Sequence, residues 1–178
     1  MASTLGELFV WLDQFSERAP LDDLTAALAD LDVAAGDLAD FVRFGRTAYQ
    51  RNLVRSGPAY HALVLCWRSG RRSPIHDHPG SSCAVRVIDG VATETIFARA
   101  AAGLIYPTRT RELPTRAVLG SQDDDIHQMS NLQPAGRDLI TLHVYSPPLV
   151  VMRKYSLTDP GVTEFVDPVW EYAHGAGI

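Results

Sequence analysis

The stretch SPIHDHPGSSCAVRVIDGVATETIF, from Ser73 to Phe97, decides how the chain is read. Its second half holds two arms rich in Val, Ile and Thr on either side of Asp89-Gly90, a pattern that predicts a β-hairpin. Its first half places His76 and His78 two residues apart. On a strand, positions i and i+2 share a face, so both imidazoles look into one interior and Asp77 points the other way. A thiol, Cys83, follows on the same segment.

Outward from this stretch the same texture continues. YQRNLV (Tyr49 to Val54) alternates, and HALVLCW (His61 to Trp67) is a dense apolar run bounded by turn residues. DLITLHVYSPP and LVVMRKYSL follow in the second half. Short strands separated by Gly, Pro and Asp predict an antiparallel barrel or sandwich. Before Thr47 the period is helical. Leu5, Leu8, Phe9, Leu12 and Phe15 form one stripe, opened by Thr4 and Glu7 at capping-box spacing. After the break at Pro20, Leu21, Leu24, Leu28 and Leu31 form a second stripe. A third short helix is expected over DLADFVRF, with Leu38, Phe41 and Val42 inward. The expected organisation is one domain over 1–178: a helical segment (1–46) packed on a barrel core (47–158), then an extension (159–178) whose end, HGAGI, frays.

With 178 residues, 46% of them hydrophobic, the chain can bury a core without help from metal or disulfides. The net charge is −5 and Arg71-Arg72 is the densest basic run, which argues against nucleic acid and anionic membrane as partners. No apolar run is long enough to span a bilayer, and the N-terminus lacks the pattern of a secretory signal. Two cysteines make no disulfide framework. A soluble, cytoplasmic monomer is the expectation.

A His-x-His pair alone does not make a metal site; a third ligand is needed. His174 sits in a Gly-rich tail and His61 opens an apolar strand as a rim residue. His127 and His143 both lie where a returning strand would meet the first, and bare chemistry leaves either open. Three neutral imidazoles leave a divalent metal its full charge and open positions, which is a catalytic arrangement. They do not choose the metal, since zinc or copper would compete on affinity.

Five ordered blocks then carry a resemblance: YQRNLV, LCW (Leu65 to Trp67), SPIHDHPGSSCAVRVIDG, IHQMSN (Ile126 to Asn131) and LHVYSPP (Leu142 to Pro148). Together they resemble the cysteine dioxygenases of the cupin superfamily, in the arginine-bearing subgroup. The resemblance implies a small cupin barrel holding mononuclear Fe(II) on His76, His78 and His127. It implies oxidation of free L-cysteine by O₂ to cysteine sulfinate, with the substrate thiolate and amine on the iron. Arg51 aligns with the arginine that holds the substrate carboxylate, and Tyr49 shares its face. Tyr145 aligns with the tyrosine aimed at substrate and oxygen, His143 with its hydrogen-bonding partner, and Thr141 stands where a serine is common behind that histidine. Cys83 aligns with a cysteine that becomes thioether-linked to the tyrosine, here Tyr145, and Ser146-Pro147 is expected to be cis. Met152 replaces a cysteine found in some members. Of the rivals, 3-mercaptopropionate dioxygenases tend to carry glutamine at the position of Arg51, and cysteamine offers Arg51 no carboxylate. A non-catalytic metal-binding cupin would have no use for Tyr145 and Arg51.

Overall fold

The computed structural model describes residues 3–171, so His174 and the expected fraying of HGAGI lie outside the described residues. Helix α1 (Leu5–Leu12) opens on the expected box: Thr4 accepts from the Glu7 amide, and the Glu7 carboxylate accepts from the Thr4 amide. Helix α2 (Leu21–Asp30) buries Leu24, Ala27 and Leu28. The third segment, Ala35–Phe41, is a 3-10 helix; it buries Leu38, and Phe41 is packed partly buried against the same core.

Among the described residues ten strands follow: β1 (Gln50–Gly57), β2 (Tyr60–Trp67), β3 (Ile75–Asp89), β4 (Val91–Arg99), β5 (Ile105–Pro114), β6 (Val118–Ser130), β7 (Leu139–Ser146), β8 (Val151–Tyr155), β9 (Thr163–Val166) and β10 (Val169–Trp170). They form one sheet in the order β10-β1-β2-β7-β3-β6-β4-β5, with β8 against β3 and β9 against β8. The sheet curls as a double-stranded β-helix does, but its hydrogen bonding does not close into a cylinder. Ser146-Pro147 is cis.

The hairpin expected at Asp89-Gly90 is corrected. Gly90 does make a turn, at φ +88°, and a Cβ there would lie 2.7 Å from the Asp138 carbonyl oxygen, so glycine is required. Yet β3 and β4 do not pair, because β6 lies between them and bonds to both. The turn carries the chain across β6 rather than back along β3.

Period-2 alternation explains the dense apolar runs. In β2, Ala62, Val64 and Cys66 face the helices, while Leu63, Leu65 and Trp67 face the interior. In β7, Ile140, Leu142 and Val144 pack outward, which turns Thr141, His143 and Tyr145 inward. Both faces are therefore buried, and no polar alternation reaches the sequence. Arg86, also outward, donates to the Leu28 and Ala29 carbonyls and caps the end of α2. At Gly120 in β6 a Cβ would lie 2.8 Å from Thr25 and 2.9 Å from Leu21, so the missing side chain lets α2 lie close on the sheet.

Candidate metal centre

His76 and His78 project from β3, and β6 delivers His127 directly opposite His76 in register. The three ring centroids stand 5.0, 4.9 and 4.9 Å apart, a near-equilateral triangle. One nitrogen from each ring lies within 4.8 Å of the others, and all three residues are buried. His143 is outside this group.

Burial drives the His76 pKa down to about 3, helped by the neighbouring His127. Burial, with the same crowding of imidazoles, holds His78 well below its usual value. Neutral rings keep a lone pair each, as metal binding requires. The remaining ring nitrogens are held differently. His76 Nδ1–H donates to the Pro74 carbonyl at 3.0 Å. His127 Nδ1–H donates to the Glu94 carboxylate at 3.0 Å, and Arg111 Nε donates to the same carboxylate at 2.6 Å. Burial raises the Glu94 carboxyl, but its bonds to His127 and Arg111 outweigh that and hold it below its usual value. His78 Nδ1 is buried without a partner. These donors fit a divalent ion: each of two rings has Nδ1 committed outward and Nε2 left for the centre.

Asp77 does point away from the histidines, into a buried clamp. Its Oδ2 accepts from Tyr155 Oη and Arg153, each at 2.6 Å. The strand carrying two of the three histidines is thereby tied to β8.

A hydrogen-bonded chain runs beside the centre. Trp67 Nε1–H donates to Thr141 Oγ1 at 2.9 Å, Thr141 Oγ1 meets His143 Nε2 at 2.9 Å, and His143 Nδ1 meets Tyr145 Oη at 3.2 Å. The Thr141 hydroxyl, accepting from the indole, has its own proton to give to His143 Nε2. In that tautomer the neutral ring carries its proton on Nδ1 and donates to Tyr145, whose own hydroxyl proton is left for another acceptor. Burial, followed by the charge of Arg51, keeps His143 well below its usual value, and burial keeps Tyr145 raised and protonated.

Cys83 sits across from Tyr145 in the β3–β7 register, and burial pushes its thiol up to about 12. Arg51 is 2% exposed, with its guanidinium carbon 5.4 Å from the Tyr145 ring centroid and Nε buried without a partner. Tyr49 stacks on Trp67 with centroids 4.2 Å apart and donates its hydroxyl to Asp167. Arg51 Nη1 donates to the Asp167 carbonyl at 2.7 Å. A small cavity of about 10 Å³ lies beside these groups; His76, His78, His127, Tyr145, Met152 and Asp167 are among its lining residues.

Sequence reasoning missed Glu94 and Asp167. A lone acid in the apolar arm VATETIF was the available signal for Glu94; nothing in the sequence marked Asp167.

The chain matches the family described as cysteine dioxygenase type I over residues 1–158. It is 27% identical to cysteine dioxygenase type 1 of Bos taurus over 154 residues, covering 82% of this chain and 75% of that protein. It is 28% identical to cysteine dioxygenase type 1 of Danio rerio over 162 residues, covering 85% and 79%. Among solved structures, an uncharacterised conserved protein with a double-stranded β-helix domain from Klebsiella pneumoniae aligns with a TM-score of 0.52 at 18% identity, over 62% of this chain and 81% of that one. That likeness concerns the fold alone. Among the described residues no helix is long and apolar enough to cross a membrane.

Proposed function

The chain belongs to the cysteine dioxygenase family, and we propose that it oxidises the sulfur of free L-cysteine with dioxygen to cysteine sulfinate, using Fe(II) held by His76, His78 and His127. The observation that carries this reading is the meeting, around one cavity, of three buried histidines and the His143-Tyr145 pair, with the buried guanidinium of Arg51 set against the Tyr145 ring. Iron, when bound, supplies the one-electron chemistry that a thiolate and dioxygen need to react.

The protein's own groups do the rest. Arg51 takes the substrate carboxylate, because a buried guanidinium offers charge and two parallel donors to a planar anion. Tyr145, held by His143 and Thr141, turns its remaining proton toward the cavity and donates to the substrate or the incoming oxygen. Its raised pKa keeps that proton in place at working pH. Glu94 fixes the His127 ring through Nδ1 and strengthens its Nε2 as a donor. Burial of the whole set excludes water that would compete at the sulfur. The Cys83–Tyr145 thioether belongs to this reading as a product of turnover, formed with loss of two hydrogens as oxygen is reduced.

Oxygen uptake by iron-loaded protein tests the proposal, with cysteine, 3-mercaptopropionate and cysteamine compared side by side and the products identified. Cysteine is expected to turn over best and to give sulfinate. Faster turnover of 3-mercaptopropionate reassigns the substrate; no uptake with any thiol rejects the activity.

A further inference from the structure

Asp167 lies beyond residues 1–158, the part of the chain matched to the family, yet it reaches the cavity. It is carried by the short link between β9, which pairs with β8, and β10, a two-residue strand set parallel to β1 with Val169 opposite Arg51. Its carboxylate accepts from the Tyr49 hydroxyl and stands 3.9 Å from Arg51 Nη1, while its carbonyl takes an Nη1 proton at 2.7 Å. Asp167 lines the cavity; Arg51 is not among the lining residues. A carboxylate entering the cavity and seeking Arg51 therefore meets another carboxylate already placed against that guanidinium.

We propose that Asp167 is a specificity-determining residue: its carboxylate stands in for the substrate carboxylate at Arg51 and Tyr49, and a thiol substrate must displace it or bind beside it. This rests on the reading of Arg51 as the carboxylate-binding residue. The inference explains two observations together. Arg51 Nε is buried without a partner, which leaves a donor in reserve for an incoming acceptor. Asp167, at 17% side-chain exposure, sits nearer solvent than Arg51, so it can give way without dragging the arginine out. The consequence is a selective handicap. Two carboxylates around one guanidinium repel in a poorly screened site, so Asp167 raises KM for carboxylate-bearing thiols and leaves thiols without a carboxylate untouched.

The test uses the full chain loaded with iron, as wild type and as Asp167→Asn, Asp167→Ala and Arg51→Ala. The asparagine amide oxygen still accepts from Tyr49, and the main-chain bond to Arg51 is unchanged, so only the charge is removed. KM for cysteine is expected to fall roughly 5- to 50-fold in Asp167→Asn, with kcat within about twofold, on the scale of one like-charge contact at intermediate dielectric. Cysteamine should not respond. Anaerobic calorimetric titration should show the same tightening for cysteine and none for cysteamine, without turnover. Asp167→Ala should also tighten cysteine binding; a mere brace would instead loosen both thiols. If Asp167→Asn leaves cysteine binding unchanged or weaker while Arg51→Ala still loses cysteine selectively, the role of Asp167 is refuted and that of Arg51 stands. If Arg51→Ala loses cysteine and cysteamine alike, Arg51 does not hold the carboxylate and both readings fall.

Discussion

Replacing Glu94 by alanine removes the anion that touches His127, one of the three histidines of the candidate metal centre. Glu94 is 2% exposed, and its bond to His127 Nδ1 at 3.0 Å fixes both the tautomer and the plane of the ring. Loss of such a partner behind a ligand typically costs 10- to 100-fold in metal affinity, about 1.4–2.7 kcal/mol. Two features of the site place the effect within that range. The bond is buried and charge-assisted, which argues for the upper end. A second cavity, of about 200 Å³ and lined by Glu94, Arg111 and His127, lets water follow the lost carboxylate and accept the freed N–H, which argues for less. The expected loss for Glu94→Ala is therefore about 30-fold. Glu94→Gln should lose only about 3- to 10-fold, since its amide oxygen still accepts from Nδ1. Competition with a chromogenic chelator, using Zn(II) in air and Fe(II) without oxygen, measures both. Wild-type affinity in Glu94→Ala, or a glutamine variant worse than alanine, would refute the argument.

His127→Ala should lose bound metal, whereas His143→Ala should keep most of its metal and turn over poorly; metal analysis after gel filtration separates them, and the reverse pattern would undo the ligand assignment. Metal-free protein should weaken in acid. Burial holds His76 at about 3 in the fold, while an unfolded imidazole titrates near ~6.5. Between those values the unfolded chain binds the extra proton, so stability rises with pH and is lost as pH falls. His76 alone should cost about 1 kcal/mol between pH 7 and 5.5, read from urea midpoints, and His76→Phe should shrink the difference; identical midpoints at both pH values would contradict this. Peptide mapping should find the Cys83–Tyr145 crosslink increasing with turnover and absent from Cys83→Gly; Cys83 always free after many turnovers would reject it.

The strand, the shared face of His76 and His78, the outward turn of Asp77 and the capping box at Thr4 were legible because each depends on local period or spacing. The third histidine was not. His127 lies beside His76 because β6 is inserted between β3 and β4, and strand order leaves no trace in alternation; only the resemblance chose it over His143. The same insertion defeated the hairpin at Asp89-Gly90, where the turn was right and the pairing wrong. Glu94 depends on β4 lying beside β6. Asp167 depends on β10 lying beside β1, through two residues of parallel pairing. Both are long-range facts about which strand meets which, and a window of sequence cannot hold them. The third helix, expected over 37–44, is a 3-10 helix over Ala35–Phe41, a segment too short for period alone to tell the two helix types apart.

The proposed reaction puts both atoms of dioxygen on the sulfur of cysteine at the three-histidine centre. Iron-loaded protein given cysteine under ¹⁸O₂, with the product analysed by mass spectrometry, tests it most directly. Cysteine sulfinate carrying two labelled oxygens is expected, and none from His127→Ala. Sulfinate with a single label, or cystine as the sole product, would contradict it.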